Sequence, residues 1–181
     1  MNVVFTMSCS KCLGNVVYEN KNTGDLCSSC FLDMVEKRLR KEIKNSGWLN
    51  KNEKVLILDD DSLEANVTED LFKKVMGSLP LQVEKKKELS EKYDHIILPW
   101  SLEREVNGFL NNLFTSKKNE ETQSKCIKLL KSISEEEIVL IAKIKNIPGK
   151  LKGTEKDYIA DLEKKYPGGK MALVKAMKEF G

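Results

Sequence analysis

Four cysteines near the start of the chain have the spacing of metal ligands. Cys9 and Cys12, then Cys27 and Cys30, form two CxxC pairs separated by 14 residues in CSKCLGNVVYENKNTGDLCSSC. Each CxxC can turn two thiolates toward one tetrahedral ion, and the intervening VVYEN and TGD supply a strand and a turn, so the unit reads as a zinc ribbon. Four thiolates leave no coordination position for a substrate. The expected site is therefore structural and the expected ion zinc, while an iron–sulfur centre, which uses the same ligands, stays open. In a reducing compartment such thiols point to metal rather than to disulfides.

A second constellation lies in KVLILDDDSLE, where an apolar run from Lys54 ends in Asp59, Asp60 and Asp61 and then Ser62. In an open α/β sheet the carboxyl end of a strand is where ligands bind. Three chemistries fit acids at that place: a metal-binding pocket, a phosphoryl-receiving aspartate, or a phosphate loop that has lost its glycines. A receiver site needs an acceptor carboxylate on a later strand, and YDHIILPWSLE offers Pro99 and Trp100 there. Without a carboxylate nucleophile no aspartyl phosphate forms. The remaining thiol, Cys126, stands among apolar neighbours in KCIKLL, and the single histidine, His95, lies inside the DHIIL strand; both read as structural.

The elements that must position these groups follow from hydrophobic periodicity. FLDMVEKRLRKEIKNSGWL has Phe31, Met34, Val35, Leu39 and Ile43 near helical spacing and ends at Gly47. After the strand at Lys54, LEANVTEDLFKKVMG reads as a helix, LQVEK as a short strand and DHIILP as a buried strand. LEREVNGFLNNLF is amphipathic, with Leu102, Val106, Phe109, Leu110 and Phe114 on one side. CIKLL reads as a short strand or extended segment. SEEEIVLIAKIKNI opens with Ser134 as N-cap and Glu137 at the capping-box position, and GTEKDYIADLEKKYP and GGKMALVKAMKEF read as two closing helices. Strands alternating with helices predict an α/β fold with a doubly wound, mainly parallel sheet.

Composition bounds the class. The chain has 181 residues, 40% hydrophobic and 33% charged, enough for one ordinary core and a small appendage. No stretch approaches the roughly 18 apolar residues of a membrane span, and MNVVFTM lacks a basic n-region and a cleavage site, so a cytoplasmic protein with no membrane partner is expected. The formal charge of +3 is unevenly spread. Phe31 to Lys51 holds six basic residues against three acids, Asn52 to Asp70 one lysine against seven acids, and Ile141 to the end ten lysines against five acids. Such runs are usually solvated faces, yet basic segments flanking an acidic middle also suit a polyanion held at its edges.

The order CxxC, GDLCSSCF, the basic VEKRLRKEI and then NEKVLILDDDS resembles the tRNA 2-thiolation enzymes of the PP-loop ATPase family, including the cytosolic thiouridylase subunits. There a cysteine ribbon and a basic helix precede a strand ending in SGGxDS. DHIILPWSLEREVNGFLNNLF lies where that family has a strand followed by GHNLDDEAQ, KLLKSISEEEIVLIAKIKNI is similar to the segment leading into its EEEVxxYAxxxxI helix, and ADLEKKYPGG is similar to its LExxxPG. The departures are as informative. No glycine remains in Asp59, Asp60, Asp61, Ser62, Leu63, so side-chain carboxylates would face phosphate oxygens where the family closes backbone amides around a pyrophosphate. Within the GHNLDDEAQ segment, Trp100 replaces the histidine and Arg104 one aspartate. The CxxC before that strand and the cysteine after the EEE helix, carried by catalytic members, are absent.

The resemblance thus implies a noncatalytic, second-subunit type of thiouridylase, shortened, with a zinc ribbon over 1–31, a basic linking helix over 32–50 and a degenerate PP-loop domain over 51–181. It implies a catalytic PP-loop subunit, tRNA and a ubiquitin-like sulfur carrier as partners, and no bound ATP. Lys37, Arg38, Arg40, Lys41 and Lys44 are the candidate phosphate contacts, and Trp48 could stack on a base or belong to the core. Two other readings remain at this stage: a magnesium-dependent nucleotide or phosphate enzyme using Asp59, Asp60 and Asp61, and a zinc-ribbon adaptor unrelated to thiolation.

Overall fold

The computed structural model describes residues 8–19, 24–47, 50–90, 92–115, 125–153, 159, 164–166 and 169–180. The chain divides into two compact units, Met1–Trp48 and Leu49–Gly181.

The first unit is a cysteine ribbon that runs into helix α1 (Ser28–Ser46). Where the sequence predicts a strand between the knuckles, the described residues form isolated antiparallel bridges, Ser8 with Asn15 and Tyr18 with Leu26. Helix α1 begins inside the second CxxC, with Cys27 as N-cap and Cys30 in the first turn, and stops at Gly47 in the left-handed conformation, φ 63°. Phe31, Val35, Leu39 and Ile43, four residues apart, form its buried stripe. Phe31 also stacks on Tyr18, ring centroids 4.7 Å apart. Trp48 and the predicted helix over GTEKDYIADLEKKYP lie outside the described residues, except for Gly153, Ile159 and 164–166.

The second unit is built on four parallel strands, β1 (Lys54–Leu58), β2 (Gln82–Lys86), β3 (His95–Leu98) and β4 (Cys126–Lys128), in the order β2-β1-β3-β4. The chain steps outward from β1 to β2, returns to β3 on the other side of β1, and continues to β4. This order places a switch point between the carboxyl ends of β1 and β3, as in doubly wound folds. Central β1 is buried on both faces, with Val55, Leu56 and Ile57 at 0% exposure, which is why its sequence is continuous in apolar residues. Edge strand β2 alternates exposed and half-buried residues and carries lysines. Helices α2 (Leu63–Met76), α3 (Leu102–Thr115), α4 (Glu135–Lys145) and α5 (Gly169–Phe180) belong to the same unit. Helix α2 packs on β1 and α4, and Leu102 and Val106 of α3 meet Ile159 and, from α5, Leu173, Val174 and Met177. Ser134 and Glu137 form the expected capping box on α4.

Candidate metal centre and strand-end cleft

The four ribbon thiols converge. All ligand atoms of Cys9, Cys12, Cys27 and Cys30 lie within 4.8 Å of one another, and among the described residues no other set of three or more Cys, His, Asp or Glu side chains is so placed. Cys12 Sγ is 3.3 Å from Cys27 Sγ and 3.5 Å from Cys30 Sγ. The first knuckle is closed by the Cys9 amide on the Gly14 carbonyl (2.9 Å) and the Leu13 amide on the Cys9 carbonyl (3.0 Å), and the Lys11 amide points at Cys9 Sγ, 3.5 Å away. Gly14 fits because a Cβ there would come within 3.3 Å of Cys27 Cβ.

The four thiols differ in acidity. The Ser29 hydroxyl, then the Cys30 amide and the Cys12 thiol, hold Cys27 down to about 6. Proton sharing with Cys12, burial and the neighbouring thiols push Cys30 up to about 12. A backbone hydrogen bond from Cys27 lowers Cys9 against the effect of burial. Four sulfurs this close cannot all ionise without a cation among them, so the donor set fits a thiophilic metal.

The basic residues of α1 lie on the face away from its buried stripe, except Arg38 on the flank. Lys37 pairs with Asp33 at 2.8 Å and Arg40 with Glu36 at 2.9 Å, each one turn apart, and Arg38 approaches the Met34 sulfur at 3.9 Å. Lys37, Arg40, Lys41 and Lys44 are exposed.

In the second unit Asp59, Asp60, Asp61 and Ser62 connect β1 to α2 at the switch point, and each carboxylate meets a cation of the chain itself. Asp59 Oδ2 is 3.5 Å from Lys85 Nζ, which also donates to Asn66 Oδ1 at 2.7 Å. Asp61, at φ 60°, pairs with Lys87 at 2.6 Å in full view of solvent. Asp60 Oδ2 lies 3.0 Å from Lys152 Nζ and 3.8 Å from Arg104 Nη1. Burial pushes the Asp60 carboxyl up, but the Ser62 hydroxyl and the Lys152 and Arg104 cations hold it below the usual carboxylate range. Glu64, wholly buried, takes Arg104 Nη2 at 3.0 Å and the Lys152 amide at 3.3 Å. Arg104 is fixed from behind by the Pro99 carbonyl at 2.8 Å.

The amides at the start of α2 are occupied as well. Ser62 is its N-cap, accepting from the Ala65 amide at 3.1 Å, and the Leu63 amide donates to the Lys150 carbonyl at 2.8 Å. These are the groups that would otherwise receive an anion. Sequence reasoning singled out the acids but not their partners. Glu64, Lys85, Lys87 and Lys152 carried one signal, an acidic cluster at a strand end with a single lysine against seven acids over Asn52 to Asp70, so that its cations had to come from elsewhere in the chain.

The two residues read as structural fit that reading. Cys126 packs on Leu56, Tyr93 and Ile96, and burial raises its thiol. His95 Nε2 lies 3.2 Å from Glu53.

No protein-family model and no curated protein matches the chain. Among solved structures it is similar to the U34-tRNA thiolase NcsA from Methanococcus maripaludis with its [4Fe-4S] cluster, at a TM-score of 0.74 and 16% identity, covering 97% of this chain and 88% of that one. At this identity the likeness shows the fold: an α/β domain of the tRNA-thiolase kind with a four-cysteine cluster near its N-terminus. No helix among the described residues is long and apolar enough to cross a membrane.

Proposed function

We propose that this chain is a noncatalytic, cytoplasmic subunit in 2-thiolation of the tRNA wobble uridine, pairing with a catalytic PP-loop subunit and helping to hold tRNA. The observation that carries the reading is the state of the strand-end cleft. Asp59, Asp60, Asp61 and Glu64 each have a cation from the chain itself, and the Leu63 amide is committed to the Lys150 carbonyl. A nucleotide phosphate would have to displace Asp60 from Arg104 and Lys152 and would then meet three further acids. The same pairing disfavours a magnesium-dependent enzyme, because each carboxylate turns to a lysine or arginine rather than to a common point.

The fold supports a tRNA-related role, and the outward lysines and arginine of α1 supply charge for phosphate contacts that position without reading sequence. Zinc suits the thiol set: four sulfurs each about 2.3 Å from one ion stand about 3.8 Å apart, close to the observed spacing. A cubane carries each thiolate on a different iron, so its sulfurs stand farther apart. Beyond the ribbon, the chain has one cysteine, Cys126, too few for a second metal centre of thiolates.

The test is reconstitution. Native purification should recover the chain with a catalytic PP-loop subunit, and thiolated wobble uridine in cellular tRNA should fall when the chain is removed. Unchanged tRNA thiolation in its absence, or thiolation of tRNA by the chain alone with ATP, would overturn the proposal.

A further inference from the structure

The four ribbon sulfurs do not share one environment. Cys9 is wholly buried and Cys12 exposed, while Cys27, also buried, is the N-cap of α1. The Cys9 sulfur has a backbone partner, the Lys11 amide at 3.5 Å, which the turn of the first knuckle supplies whatever side chain stands at that position. At Cys27 the partner is a side chain. The Ser29 hydroxyl lies 3.3 Å from its sulfur.

Ser29 is the second residue of α1, an exposed position between two ligands in CSSC. The helix itself does not call for a hydroxyl there. The N-cap position, where serine is favoured, is held by Cys27, and within a helix serine is a poorer former than alanine.

Metal binding fixes the direction of the bond. A ligating sulfur is a thiolate with no proton to give, so Ser29 donates and the sulfur accepts, a charge-assisted bond of the stronger kind. Four thiolates around one divalent ion leave the centre negative, and a donor that draws charge off one sulfur favours the loaded site over the empty one. The positive end of the α1 dipole acts on the same sulfur in the same sense.

We propose that Ser29 is a positioning residue of the metal centre, its hydroxyl orienting the Cys27 thiolate toward the ion and raising the affinity of the ribbon for it. This rests on the reading of the ribbon as a single-zinc site. It is independent of the tRNA-related role.

The experiment uses the full chain. Zinc affinity is measured by competition with a chromophoric chelator in wild type, Ser29→Ala, Ser29→Thr and Ser28→Ala, the last as control for loss of a hydroxyl from the same turn, and each protein is also loaded with cobalt. Ser29→Ala should bind zinc about ten-fold more weakly, at the lower end of the roughly 10–100-fold that such outer partners set, because Ser29 is exposed. Its sulfur-to-cobalt charge-transfer band should move to longer wavelength, since the Cys27 sulfur has lost its donor. Ser29→Thr, which keeps the hydroxyl, and Ser28→Ala should stay within about two-fold of wild type with the band in place. Should Ser29→Ala take up no metal, Ser29→Thr decides: wild-type affinity upholds the hydroxyl, and loss in both variants overturns it. Affinity and band unchanged in Ser29→Ala overturns the proposal and leaves the zinc site standing, as does a weaker affinity with the band unmoved, which is the mark of a purely structural role. Wild type without zinc overturns the single-ion reading and this inference with it.

Discussion

Replacing Cys27 with serine tests the metal centre where the structure makes it most specific. The ribbon has little else to hold it. Ordering the fifteen described residues 8–19 and 24–26 costs at least about 15 kcal/mol of backbone entropy. Burial of Leu26 and Phe31, both at 0% exposure, returns about 3–6 kcal/mol. The deficit of about 10 kcal/mol lies within the ~10–16 kcal/mol by which a structural zinc site stabilises a finger. Shared over four thiolates, loss of one weakens binding by about 2.5–4 kcal/mol, a hundred- to a thousand-fold. Competition with a chromophoric chelator measures that change, and cobalt substitution reports tetrahedral thiolate ligation through its visible bands. Wild type should carry one zinc per chain, Cys27→Ser should lose it, and amide protection over β1 and β3 should persist. Wild type with stoichiometric iron and inorganic sulfide, or Cys27→Ser with zinc at wild-type affinity, refutes a single-ion site.

The salt dependence of tRNA binding by the complex should flatten by about 0.7–0.9 in log–log slope for each α1 phosphate contact removed, with no change in preferred tRNA. Lys41→Gln and Lys44→Gln should weaken binding more than Lys37→Gln and Arg40→Gln, because Lys37 and Arg40 must first leave Asp33 and Glu36; identical slopes for wild type and all variants would remove this helix from the tRNA surface. Purified alone with ATP, magnesium and tRNA, the chain should release no pyrophosphate, and release that disappears on replacing Asp59, Asp60 and Asp61 with alanine would restore the metal-enzyme reading. Asp60, held below the usual carboxylate range, contributes stability that is present above its unfolded value and lost as pH falls through its lower folded value. Exchange at the Leu63 and Lys152 amides should therefore rise as the solution is acidified below about pH 4, and less so in Asp60→Asn; equal acid dependence in the two proteins would separate the contacts of residues 148–152 from this carboxyl.

Legibility in the sequence followed the range of the interactions. Local ones were readable: the capping box at Ser134 and Glu137, the i, i+4 stripe of Phe31, Val35, Leu39 and Ile43, and the apolar run of β1 all depend on neighbours within a turn or a strand. The cysteine spacing was equally local, and its thiols converge as expected. What the sequence did not disclose joins distant segments. Arg104 meets Glu64 across 40 residues and Lys152 meets Asp60 across 92. Ser62, read only as a remnant of a phosphate loop, is in use as a helix cap, a role that S-x-x after a strand advertises weakly.

On the proposed reading, loss of the glycines and gain of the cations are parts of one change. Three acids at a strand end would repel one another and any anion, each pair by about 4 kcal/mol at 4 Å and an effective dielectric near 20. Lys85, Lys152, Arg104 and Lys87 turn that repulsion into pairing, at 3.5, 3.0, 3.8 and 2.6 Å. Once made, the arrangement resists dismantling, because removing Arg104 strands Glu64 as a buried, half-compensated charge, and breaking a buried pair costs about 3–5 kcal/mol. Trp100 lies with Lys128 over its ring at 4.6 Å, and Arg104 is committed to Glu64 and Pro99, so at the two positions where the resemblance expects a histidine and an aspartate the side chain present is engaged within the chain itself.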